Sequence, residues 1–184
     1  MNAYRPFLFL VFAVSGLLGA CKKTEQPVTP ATTTPLITTL TLSLTNVTNA
    51  TDVATATVES LNAGGNFSSA TLNLRARTPY RGSLTLSDKT QSPATDVTAQ
   101  IRQKANEYLV VYTPAAGLNL NVTRTDQDTN PAGPYEIGLT TQLTTGGASA
   151  GQLRIVLKHQ PGVKTGDSAP GTSDLDTYVN VVVK

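Results

Sequence analysis

Three oxygen-bearing side chains stand at alternate positions in Asp126-Gln127-Asp128-Thr129-Asn130. A hard cation such as calcium takes oxygen ligands at that spacing in the opening of a binding loop. Asp174 and Asp176 repeat the spacing in a second loop. The glycine and the distal glutamate that complete an EF-hand loop are missing from the first. Two readings stand: a calcium-stabilised loop with Asp126, Asp128 and Asn130 as ligands, or a polar hairpin loop in which the same side chains close turns. His159 is the only histidine, and it continues the inward phase of Leu153, Ile155 and Leu157. It reads as a core-facing residue at a strand end rather than a metal ligand, haem ligand or general base. A serine–histidine–aspartate set would have to run through this one residue. The paired loop acids are sequence neighbours, a poor pattern for a glycosidase pair. The expectation is a protein that is not an enzyme and holds no cofactor, calcium apart.

The remaining reactive side chain is Cys21, the only cysteine. Ahead of it stand Arg5, an apolar stretch from Phe7 to Leu18, and the small pair Gly19-Ala20. That is the layout of a secretory signal. About fourteen helical residues reach ~21 Å, short of the ~30 Å that a spanning helix needs. Leu18-Gly19-Ala20-Cys21 resembles the bacterial lipobox. The resemblance implies cleavage before Cys21, a diacylglycerol on its thiol and an acyl chain on the new amino terminus. Chains of that number make a permanent anchor. An unpaired thiol in an oxidising compartment would otherwise be a liability. Lys22 stands where an inner-membrane retention signal carries aspartate, so the resemblance implies transfer to the outer membrane. Lys22-Lys23-Thr24-Glu25 differs from the acidic surface-export signal of some Bacteroidota lipoproteins, and both the periplasmic and the cell-surface face stay open.

Around these residues the chain divides into a signal peptide at 1–20, a lipidated Pro/Thr-rich tether at 21–36 and a folded domain at 37–184. The tether, with Pro27, Pro30 and Pro35, would extend roughly 45 Å at ~3.1 Å per residue. Residues 1–20 hold one Arg and no acid, which takes the basic count from 14 to 13 against 12 acids. So balanced a charge offers no field for nucleic acid. The chain has no Trp, and three of its four Phe lie in the signal. The core must therefore be aliphatic.

Period-two alternation governs the domain. In ITTLTLSLT, Leu40, Leu42 and Leu44 share one face and Thr or Ser the other. DVATATVES, TLNLRAR, YRGSLTLSD, LNLNVTRT, YEIGLTTQL, QLRIVLKH and TYVNVVVK follow the same rule. YLVVY, residues 108–112, is apolar on both faces and reads as a central strand. About nine strands with one apolar face each predict an all-β fold, a two-sheet antiparallel sandwich of immunoglobulin-like style. One segment departs from the rule. Val97, Ile101 and Ala105 recur every four residues, which predicts a short crossover helix over 94–106 capped by Ser92 or Thr95, with Pro93 in its first turn.

The run from Tyr80 to Lys184 is similar to a group of small Bacteroidota cell-envelope lipoproteins. The matching pieces are TPYRGSLTLSD, EYLVVY, LNLNVTRTDQDTNPAG, LTTQLTTGGASAGQLRIVLKHQPGVKTGD and SDLDTYVNVVV. Some members carry the label of a type 1 periplasmic binding fold, a two-lobed α/β architecture; this chain is too short and too β-patterned for it. The resemblance implies an envelope lipoprotein with an accessory role beside an outer-membrane transporter. Asp167-Ser168-Ala169 resembles the Bacteroidota O-glycosylation signal, which implies a glycan on Ser168. The expectation is an outer-membrane-anchored, non-enzymatic binding or accessory module. The alternatives are a structural envelope lipoprotein without a specific ligand and a calcium-stabilised β module.

Overall fold

The computed structural model describes residues 36–60 and 66–184. The signal stretch, Cys21, the tether to residue 35 and the turn cluster Asn62-Ala63-Gly64-Gly65 lie outside the described residues. The strands are β1 (Thr39–Asn46), β2 (Val53–Glu59), β3 (Thr71–Leu74), β4 (Pro79–Asp88), β5 (Thr95–Asp96), β6 (Tyr108–Pro114), β7 (Leu120–Arg124), β8 (Thr140–Thr145), β9 (Ser149–His159) and β10 (Thr172–Val183). One sheet runs β2-β1-β4-β8-β7, with β5 beside β4, and the other runs β3-β10-β9-β6. This is the all-β two-sheet sandwich that alternation predicts. Pairing is antiparallel except between β3 and β10, which are parallel.

Leu40, Leu42 and Leu44 of β1 are fully buried, as are Leu153, Ile155 and Leu157 of β9 and Val179 of β10. They belong to one core cluster with residues from both sheets. Each such side chain contributes about 1.5–3 kcal/mol by leaving water. The intervening hydroxyls stay outside and meet across the strands: Thr41 and Thr57 are 3.0 Å apart, Ser43 and Thr55 3.4 Å. β-Branched outward residues hold the pleat while the leucines make the core.

Three elements differ from expectation. The helix is α1 (Val97–Gln103), shorter than 94–106, followed by a 3-10 turn at Ala105–Glu107. Its cap is Asp96, whose side chain accepts from the Ala99 N–H, and Pro93 lies in the loop before it. β6, which holds YLVVY, is an edge strand and not a central one. Its second apolar face is real nonetheless. Leu109 and Val156 are buried outside the main core cluster, and Gly166, Asp167 and Ser168 of the following loop border Val111. Finally, β8 begins at Thr140 rather than Tyr135. Gly138 has φ +94°, and the Asp126 carboxylate takes the N–H groups of Gly138 and Leu139 at 2.8 and 2.9 Å.

Chain direction gathers the long connections at one end. β4 finishes at Asp88, the 89–107 segment crosses through α1, and β6 starts at Tyr108 opposite His159, the end of β9. Thr172, the start of β10, also pairs with His159. The segments 125–139 and 160–171 close over the same region: Val110 N–H donates to Ile137 O at 2.6 Å, and Gln160 N–H to Glu107 O at 2.6 Å.

Gly82 sits at an inward position of β4, where its neighbours leave no room. A Cβ there would stand 2.2 Å from Thr141 Oγ1, 2.9 Å from Leu143 Cδ1 and 3.0 Å from Leu44 Cδ2. Gly82→Ala should destabilise the fold by about 1–3 kcal/mol in chemical denaturation, whereas Ser83→Ala on the outer face should change little.

Candidate functional site

The loop end buries two polar clusters. The first forms around His159, which is stacked on Tyr108 with ring centroids 4.6 Å apart and planes 12° from parallel. Glu107 Oε2 lies 3.2 Å from His159 Nε2. On the other ring edge, Asp174 Oδ2 lies 3.9 Å from Nδ1, an ion-pair distance too long for a hydrogen bond. A register shift between Ser173 and Leu175 inserts Asp174 as an extra residue against β9. That bulge turns its carboxylate toward His159. Asp176, two residues on, reaches Arg154 instead, with Oδ1 accepting from Nε at 2.8 Å. The spacing of the two acids therefore brings them to different partners.

Asp174 Oδ2 is buried and accepts no hydrogen bond among the described residues. Burial pushes its carboxyl above the usual range, and the nearby His159 pulls only partly the other way. The Tyr108 hydroxyl is pushed up to about 12 by burial first, then by the negative charges of Asp174 and Glu107.

The second cluster is the pair Asp128–Lys164. Lys164 Nζ lies 2.8 Å from Asp128 Oδ2, and both side chains are wholly buried. The ammonium also donates to Ala105 O at 2.9 Å. Asp128 Oδ1 accepts from Asn130 N–H at 3.1 Å and Tyr135 N–H at 2.8 Å. Burial alone would raise the carboxyl. The adjacent Lys164 ammonium and the two amides outweigh it and hold the group below its usual range.

The residues that suggested a calcium loop now have positions. Asp126 takes two backbone N–H groups, Asp128 takes two and the lysine, and Asn130 Oδ1 accepts from Ala132 N–H at 3.1 Å. The Asn130 and Ala132 amide bonds close local turns, and the others tie the loop to residues 7 to 36 positions away. Among the described residues no group of three or more His, Cys, Asp or Glu is placed to hold a metal ion.

A Gly-x-Ser-x-Gly spacing occurs at 147–151, but its setting is a strand start and not a strand-to-helix elbow. Ser149 Oγ accepts from Asn119 N–H at 3.0 Å. His159 stands at the other end of the same strand. Ten residues of strand separate them by roughly 33 Å, so no serine–histidine set forms.

Beside the clusters runs a groove of about 430 Å³. Tyr112 of β6 and Val122 of β7 line it, Arg124 and Glu136 close one side, and Gly166, Asp167 and Ser168 form a rim. Arg124 Nε donates to Glu136 Oε2 at 2.7 Å, and its NH1 donates to Val110 O at 3.3 Å. The expected glycosylation residue Ser168 is exposed on that rim.

Sequence reasoning missed Glu107, Gln160 and Lys164. A lysine in a Pro/Gly loop carries no mark of burial, and its partner lies 36 residues away. The bulge at Asp174 also leaves no local signature. The chain matches no protein-family model, no curated protein and no solved structure.

Because the fold raises Asp174 above its ordinary value, folding favours its protonated form. The associated stability is complete below the unfolded value near 3.9 and is lost as pH rises through the folded value. Asp174→Asn removes that loss. Its melting temperature should exceed the wild type's at pH 7, and the gap should narrow as pH falls toward 4.

Proposed function

We propose that the chain is an outer-membrane-anchored lipoprotein whose sandwich serves as a non-enzymatic binding or accessory module beside an envelope protein such as a transporter. The observation that carries the reading is Leu18-Gly19-Ala20-Cys21, a small-residue run ending in the only cysteine and preceded by an apolar stretch too short to span a bilayer. A tether rich in Pro and Thr then separates the lipid from the first strand. The arrangement of the domain supports the binding half of the reading. Asp126 and Asp128 spend their carboxylates on holding loops, and the exposed groove offers mixed polar and apolar contacts to a partner. Surfaces of this kind sit on loops and strand edges positioned by a rigid scaffold. A glycan on Ser168 would stand at the groove rim and belongs to the same reading.

Metabolic labelling with radioactive palmitate tests the anchor. The wild-type chain should carry label and sediment with the outer membrane. Cys21→Ser should lose the label and the membrane association together. Equal labelling of the two would remove the reading.

A further inference from the structure

We propose that the groove between β6 and β7 takes an extended segment of a partner protein, added as a short strand to the free edge of β6. This deepens the binding-module reading and rests on it, naming the chemistry of the partner.

The two sandwich edges part at this groove. β6 pairs with β9 on one side only, and β7 with β8 on one side only. Val110 N–H turns away from β9 to reach Ile137 O. Alternation along an antiparallel ladder then turns the Tyr112 N–H and C=O the same way. On the facing wall, Thr125 N–H donates to Thr140 O at 3.0 Å. The same alternation turns the Val122 N–H and C=O away from β8. Among the described residues no hydrogen-bond partner meets these outward groups of Tyr112 or Val122.

Unpaired edge groups are a template for another strand, and proteins ordinarily blunt them with lysine, proline or a bulge. Tyr108–Thr113 holds no proline and no lysine, and Pro114 comes only at the last position of β6. The Arg124 guanidinium bridges to Val110 O and holds one end of the slot. Its charge is matched by Glu136, 2.6 Å away. Asp167, exposed on the rim, remains as the unmatched charge of the groove lining. Its exposed carboxylate selects a segment that carries Lys or Arg beside its pairing residues. At about 430 Å³ the groove lies within the ~300–1,000 Å³ of small binding pockets. A few residues of extended chain fill it, their main chain fixing affinity and the basic residue fixing choice.

The test uses the full chain, isotope-labelled and in detergent micelles. The probe is acetyl-Thr-Val-Lys-Val-Thr-amide, with a control peptide methylated on the nitrogens of both valines. The Tyr112 and Val122 amide resonances should shift with the probe and exchange more slowly with solvent. Methylation should weaken binding by about threefold to tenfold for each hydrogen bond lost. Val122→Pro removes an N–H that β8 does not use and should weaken the probe to a similar degree. Asp167→Lys, on an exposed loop, should reverse the preference between the lysine peptide and its glutamate counterpart. Unmoved Tyr112 and Val122 amides at millimolar probe, equal binding of the methylated peptide, or an unchanged preference in Asp167→Lys would each overturn the proposal. Palmitate labelling at Cys21 is read separately on the same protein, so failure here leaves the anchor reading standing, and the reverse holds too.

Discussion

A buried ammonium and a buried carboxylate hold the loop end together. Taking either ion out of water costs several kcal/mol, and their attraction offsets this only when further hydrogen bonds satisfy both. That condition is met at Asp128 and Lys164. Asp128 Oδ1 accepts two amides while Oδ2 stands 2.8 Å from the ammonium, and the lysine donates to Ala105 O. Three separate pieces of chain thereby meet at one point: the 125–139 segment, the 160–171 segment and the turn after α1. The groove depends on the same point, because Glu136 comes from the first piece and Gly166, Asp167 and Ser168 from the second. The His159 cluster depends on it through Glu107, which leaves the turn that Lys164 ties down.

The sandwich itself follows from a simpler rule. A strand that alternates Leu with Thr has one face to bury and one to leave wet, and two such sheets satisfy each other. Most of this is legible in the residues. Leu40, Leu42 and Leu44 point inward as their spacing requires, and so do Leu153, Ile155 and Leu157. Legibility fails where long-range contacts override local pattern. YLVVY has two apolar faces, which suits a central strand, yet β6 pairs only with β9 and ends its sheet. YEIGLTTQL keeps strand-like alternation through Tyr135, Ile137 and Leu139, yet Asp126 captures the amides of Gly138 and Leu139 and delays the strand to Thr140.

The candidate site was less legible than the fold, for the same reason. Asp126, Asp128 and Asn130 advertise oxygen at alternate positions. What decides their role is which groups reach them, and those groups come from Gly138, Leu139, Tyr135 and Lys164. Asp174 is a sharper case. Its spacing from Asp176 suggests a pair, and the bulge gives the two acids separate partners. One becomes an exposed ion pair with Arg154, held below its ordinary value by that hydrogen bond. The other is buried beside an aromatic pair and raised. No one-dimensional pattern encodes that difference, because a single extra residue in a ladder creates it.

The Asp128–Lys164 contact organises the loop end. The direct measurement is a double-mutant cycle, Lys164→Met, Asp128→Leu and both together, followed by chemical denaturation and by amide exchange at Asn130 and Tyr135. Lys164→Met, which strands a buried carboxylate, should cost roughly 3–5 kcal/mol, and replacing both residues should recover much of that loss. Asn130 and Tyr135 amides should lose protection whenever Asp128 is absent. A Lys164→Met protein within about 0.5 kcal/mol of wild type, the range of ordinary surface substitutions, with both amides still protected in Asp128→Leu, would contradict it.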